Sequence, residues 1–140
     1  MRFLIDTHCW LWAVRSPERL LPAAARLIEG KDNTAVLSIV SALEIAIKAS
    51  LGKLQLSEPA AEFVPSQIAA LSMSTLPVYL SHALRVASLP HHHRDPFDRL
   101  LVAQSQIEGL PLMTADAAIA AYDIDVIWAG RGRAPRQSRR

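Results

Sequence analysis

The stretch His93-Arg94-Asp95-Pro96-Phe97-Asp98-Arg99-Leu100-Leu101 decides how the rest of the chain reads. Pro96 suits a first helical position, where its missing N–H costs nothing, and Asp95 before it is a good N-cap. Phe97, Leu100, Leu101, Ala103 and Ile107 then recur at helical spacing and predict one buried face. Asp98 falls in the first turn and points off that face. It has a structural reading, as the third residue of a capping-box-like start. It also has a chemical one, as a carboxylate of an acidic site completed from elsewhere in the chain.

Toward the N-terminus, Arg2-Phe3-Leu4-Ile5 is a short apolar run of strand type, followed at once by Asp6-Thr7-His8. A run buried on both faces belongs in a parallel sheet, and an acid at its carboxyl end lies where open α/β sheets place ligands. Cys9 to Val14 predicts a short buried helix and Thr34 to Val40 a second strand. Ser41-Ala42-Leu43-Glu44 reads as a capping box opening a helix that runs to Gly52. Glu44 would then reach back to Ser41, pair with Lys48 one turn on, or face inward beside the end of the first strand. Ser57-Glu58-Pro59 opens a further helix that Pro65 is expected to bend or break. Ser74 to Tyr79 is a weak strand and Ser81 to Leu89 a short helix.

Beyond the opening stretch, Gly109 stops the helix and Leu110 to Met113 forms a strand. Thr114-Ala115-Asp116 repeats the pattern at Asp6: apolar strand, small polar residue, acid. Asp116 is also an N-cap for Ala117 to Tyr122, and Val126 to Ala129 is a last short strand. This alternation predicts an α/β protein, three layers α/β/α around a central, mostly parallel sheet of four to five strands.

The 140 residues are 51% hydrophobic, enough for one domain with its own core, and 20% charged, which argues against global disorder. No apolar run is long enough to cross a membrane, and no signal-peptide pattern is present. A single cysteine, Cys9, excludes an internal disulfide and fits a reducing compartment, so a cytoplasmic location is expected. The net charge of +2 hides an asymmetry. Arg131, Arg133, Arg136, Arg139 and Arg140 crowd the last ten residues without one acid, and the remainder carries 10 basic against 13 acidic residues. Residues 1–129 therefore read as the domain and 130–140 as an Arg-rich, disordered tail, either a solvated end or a phosphate contact.

Each acid has a structural excuse, yet Asp6, Glu44, Asp98 and Asp116 all fall where strand ends meet helix starts. In a doubly wound sheet those points face one edge. Carboxylates gathered there repel unless some stay protonated or a cation sits among them. Hard divalent ions, Mg²⁺ or Mn²⁺, suit such oxygen ligands, and a metal-activated water can hydrolyse a phosphodiester without a nucleophilic side chain. His91-His92-His93 reads as a solvated loop, because adjacent histidines do not readily converge on one metal. Cys9 beside His8 does not make a thiol enzyme, and no glycine-rich phosphate loop or G-x-S-x-G motif is present.

The order Leu-Ile-Asp6-Thr, Ser-Ala-Leu-Glu44-Ile-Ala-Ile-Lys48, His93-Arg94-Asp95-Pro96-Phe97-Asp98-Arg99 and Met113-Thr114-Ala115-Asp116 resembles PIN-domain ribonucleases, closest to VapC-type toxins of type II toxin–antitoxin pairs. The resemblance covers residues 1–129. It implies a Mg²⁺- or Mn²⁺-dependent endoribonuclease with Asp6, Glu44 and Asp98 as the main acidic site and Asp116 as its fourth member. Asp95 would be a cap and close neighbour, and Thr114 would orient a water. Lys48 and Arg99 would touch phosphate or balance the acids. The resemblance also implies a small antitoxin that blocks the site, and homodimers. The competing readings are a structure-selective DNA nuclease, a non-catalytic module whose acids only bind metal or a basic partner, and a phosphoacceptor domain.

Overall fold

The computed structural model describes residues 1–136, so Arg139 and Arg140 of the Arg-rich tail lie outside the described residues. Five strands, β1 (Arg2–Ile5), β2 (Thr34–Ser38), β3 (Ser74–Leu76), β4 (Leu112–Thr114) and β5 (Val126–Trp128), pair in the order β3-β2-β1-β4-β5. Every pairing is parallel, with Leu4 opposite both Val36 and Leu112. Parallel neighbours need crossovers, and seven α-helices supply them: α1 (Thr7–Arg15), α2 (Pro22–Glu29), α3 (Ile39–Ser50), α4 (Ala60–Ala70), α5 (Leu80–Arg85), α6 (Pro96–Glu108) and α7 (Ala117–Ala120).

The pleat sorts the core into two halves. Phe3, Ile5, Ala35, Leu37 and Met113 point to one face and pack with Trp10, Ala24, Ile45 and Phe63 from α1 to α4. Leu4, Val36 and Leu112 point to the other and pack with Leu101, Val102 and Ala103 of α6 and Ile119 of α7. Burial on both faces is why these strands read as continuous apolar runs rather than as alternating ones. Truncating Leu4 to Ala would cost about 2–5 kcal/mol, since it is fully buried at the sheet centre.

Several local boundaries differ from the sequence reading. The second strand ends at Ser38, which caps α3 by accepting from the Val40 N–H at 3.1 Å. Ser41 is therefore inside the helix and Glu44 closes no capping box. α4 runs unbroken through Pro65, held by the buried Phe63 and Val64 just before it. β3 is only three residues long because Pro77 cannot donate to the ladder. Gly109 closes α6 as expected, at φ 66°, a left-handed turn natural to glycine.

The chain order reverses at β1, with β2 and β3 laid to one side and β4 and β5 to the other. The crevice at the carboxyl ends of β1 and β4 is therefore the switch point where such sheets hold ligands.

Candidate functional site

Asp6 is the first residue past β1 and caps α1. Its Oδ1 accepts from the Cys9 N–H at 2.7 Å, and its Oδ2 accepts from the Thr114 hydroxyl at 2.6 Å. Thr114 ends β4 and is fully buried; its oxygen also accepts from the Asp116 N–H at 3.0 Å. One hydroxyl thus ties the acid of the first strand to the acid of the fourth. The hydroxyl's donor and one of its two acceptor lone pairs are thus used inside the protein, so in this structure Thr114 orients the Asp6 carboxylate.

Glu44 enters from α3. Thr7 and Ser41 bridge the first turns of α1 and α3 through their hydroxyls at 2.9 Å, which brings Glu44 to the Asp6 side of the sheet. Glu44 is 2% exposed. Its Oε2 pairs with Lys48, while its Oε1 is buried with no hydrogen-bond partner. An orphaned buried carboxylate oxygen costs roughly 1–3 kcal/mol or more, so a water or a cation is its natural partner. The Lys48 ammonium is raised above its ordinary pKa chiefly by this bond, with Asp95 and Asp98 adding to the effect.

Asp98 enters from the first turn of α6. Burial raises its carboxyl from 3.8 to about 7, and the charges of Asp95, Glu44 and Asp6 push the same way, with His93 opposing. That list of causes is also a statement of proximity: carboxylates from the starts of α1 and α6 and from α3 act on Asp98. Asp6 is raised as well, by burial against the relief of its hydrogen bonds to Thr114 and Cys9. Asp95 spends Oδ1 on the N–H groups of Phe97 and Asp98, the cap expected of it. Asp116 caps α7 through Oδ1 and turns Oδ2 into the pocket.

His93 is the residue that sequence reasoning placed wrongly. Its Nδ1 accepts from the Asp95 N–H at 3.1 Å, so in the neutral ring Nε2 carries the proton. Nε2 lies 3.0 Å from Asp98 Oδ2 and 2.9 Å from Asp116 Oδ2, and one potential ligand atom from each of the three residues lies within 4.8 Å of the others. Three adjacent histidines indeed do not converge, but one of them does join the acids. The available signal was its position, two residues before the Asp95 cap.

Arg99 departs furthest from expectation. It neither balances the acids nor faces substrate. Its guanidinium turns to the other side of α6, donating to the carbonyls of Pro90, His93, Val86 and Leu89 and to the Tyr122 hydroxyl. A helix places consecutive residues about 100° apart, so Asp98 and Arg99 cannot share a face. Cys9 is buried in the core with its thiol raised by burial and by Asp6, so it is no nucleophile.

The donor set fits a hard divalent cation. Oxygen ligands dominate, the carboxylates outnumber the cations that face them, and Glu44 Oε1 is buried and unpaired. Chemically, the arrangement can gather one or two cations and present them to an anion at the open switch point.

The PIN-domain family model matches residues 3–125. Among proteins of curated function, none matches the sequence at a significant level. Among solved structures, the fold is similar to VapBC2 from Rickettsia felis bound to a DNA fragment from their promoter, with TM-score 0.69 and 12% identity over 92% of this chain and 99% of that one. It is also similar to FitAcB from Neisseria gonorrhoeae, with TM-score 0.55 and 17% identity over 90% and 96% of the two chains. No helix among the described residues is long and apolar enough to cross a membrane.

Proposed function

The chain belongs to the PIN-domain family, and from that premise we propose that it hydrolyses RNA phosphodiesters with bound Mg²⁺ or Mn²⁺, as the toxin of a VapC-type toxin–antitoxin pair. The observation that carries the reading is that Asp98 lies near enough to Glu44 and Asp6 for their charges to act on it. Glu44 Oε1 is buried without a partner and Asp98 is pushed to about 7 by burial and its neighbours. Asp6, Glu44, Asp98 and Asp116 would hold the cation. It would supply an activated water and neutralise charge on the scissile phosphate.

The chain's own residues prepare that chemistry. Thr114 holds Asp6 Oδ2 in one orientation and the Asp116 backbone beside it. Lys48 engages one oxygen of Glu44 and leaves the other unused. His93 keeps Asp98 and Asp116 close together and returns a proton donor to the pocket.

A small antitoxin is the expected partner, supported by the similarity to the VapBC2 and FitAB complexes. A homodimer is supported by apolar side chains left in solvent: Ile39, Leu43 and Ile47 of α3 and its C-cap Leu51 recur every fourth residue, and Leu80 and Leu84 stand on α5. A cytoplasmic site of action follows from that role.

The test is metal-dependent cleavage of RNA by the wild type, by Asp6→Asn and by Asp98→Asn. Both variants are expected to fold and to fall to the background seen in chelator. Cleavage that survives both substitutions removes these acids from the chemistry.

A further inference from the structure

We propose that α1 and the short turn after it, Pro17–Arg19, carry the substrate track: a single-stranded RNA leaving the acidic pocket stacks a base on Trp12 and lays its phosphates on Arg15 and Arg19. This rests on the nuclease reading above and names what the substrate touches beyond the acids.

His8 and Trp12 are one helical turn apart on α1, and Arg15 follows three residues later, so the three form one stripe starting beside Asp6. A cleft of about 330 Å³ is lined by Asp6, His8, Trp12 and Asp116. A second, of about 270 Å³, shares His8 and Trp12 and continues to Arg15 and Arg19. The two are successive reaches of one groove, acids at one end and arginines at the other.

Trp12 is built differently from its neighbour Trp10. Trp10 is fully buried, edge-on to Phe63. Trp12 packs against the same core yet stays half-buried, so its indole has a firm backing and an open side in the groove. A supported ring with one free side is a stacking platform, and every base offers it a π-face. Arg15 and Arg19 are exposed, and their planar forks match phosphate. Arg131 donates to the Glu18 carbonyl through Nε at 3.0 Å and Nη2 at 2.7 Å, which pins a third cation at the same short turn.

Charge favours a nucleic acid over a protein here. A polyanion must approach a pocket of carboxylates, so cations beside that pocket serve to draw and hold it. A protein partner offering a basic side chain to the acids would be repelled at the arginine end.

The experiment measures binding of a labelled single-stranded oligoribonucleotide of mixed sequence to the full chain, in the Asp6→Asn background that does not cut. Adding Trp12→Ala is expected to weaken binding about ten-fold or more, with Trp12→Phe keeping most of the affinity. Adding Arg15→Gln and Arg19→Gln together should flatten the slope of log affinity against log salt by about 1.4. Where Trp12→Ala melts early, the arginine pair carries the decision. Parental affinity in a folded Trp12→Ala, or a parental salt slope in the arginine pair, overturns the track. So does unchanged RNA binding with loss of binding to a purified antitoxin, which gives the groove to a protein. If the wild type cuts no RNA but binding still depends on Trp12, the track stands and the hydrolysis reading falls. Cleavage with a KM unmoved by Trp12→Ala is the reverse.

Discussion

Asp98 and Arg99 are neighbours in the chain, yet α6 delivers them to regions of opposite character. Asp98 enters a pocket with too many negative charges, beside Asp95, Glu44 and Asp6, where even a buried carboxylate oxygen lacks a partner. Arg99 enters a cage of four carbonyls and a tyrosine hydroxyl, 7% exposed and fully partnered. The cage fastens the segment from Val86 to His93, and His93 then reaches Asp98 and Asp116. The difference separates structure from function. A region that satisfies every group serves the fold, whereas one that leaves charge unbalanced is waiting for something that the fold does not supply.

The comparison breaks first at Arg99. Arg99→Met should strand five acceptors, two of them in fully buried bonds, and lower stability by about 3 kcal/mol or more, read by denaturant unfolding. A loss under 1 kcal/mol would mean that the cage is not structural.

The pocket should respond with the opposite sign. Because the folded Asp98 carboxyl is raised from 3.8 to about 7, the native state keeps a proton that the unfolded chain has lost between those values. Metal-free stability is therefore highest near pH 4 and falls as pH rises to 7, by about 2–4 kcal/mol. Asp98→Asn should remove most of that slope and stabilise the metal-free protein at pH 8. A slope of the same size in Asp98→Asn assigns it to other groups.

Cation addition sharpens the contrast further. Millimolar Mg²⁺ or Mn²⁺ should raise the melting temperature of the wild type at pH 8, more than that of Asp98→Asn, since only a site that binds in the native state shifts the equilibrium. Equal shifts in both would place the ion elsewhere.

The smallest expected effect lies at the C-terminus. Removing residues 133–140 should leave stability unchanged, because among the described residues the hydrogen bonds that secure this end are made by Arg131 and by Gly132, whose carbonyl accepts from Trp128. RNA binding should lose part of its salt dependence. An unchanged salt slope would make the tail an inert end.

Much of the fold was legible because its signals are local. Phe3 to Ile5 and Leu112 to Met113 are apolar on every residue, as strands covered on both faces must be, and each run is followed by an acid within three residues. Asp95-Pro96 announces a helix start by chemistry that needs no neighbour. Asp6 and Asp116 could be read as acids that follow strands, and Glu44 and Asp98 as acids that open helices. What stayed hidden turns on one-residue shifts and side-chain direction. Ser41 looked like a cap until Ser38 took that place three residues earlier, which left its hydroxyl to receive Thr7. Trp10 and Trp12 have similar sequence surroundings; the helix phase buries one and opens the other.

By itself, then, the order of residues determined the parallel α/β architecture and which carboxylates lie at its carboxyl edge, since strand burial, helix capping and crossover handedness act over short spans. Only the tertiary structure decided that Thr114 joins Asp6 to Asp116, that His93 belongs with the acids and that Arg99 does not. Those outcomes depend on where a hydroxyl, an imidazole and a guanidinium find partners across elements far apart in the chain, and a helix turning about 100° per residue can send adjacent charges to opposite sides.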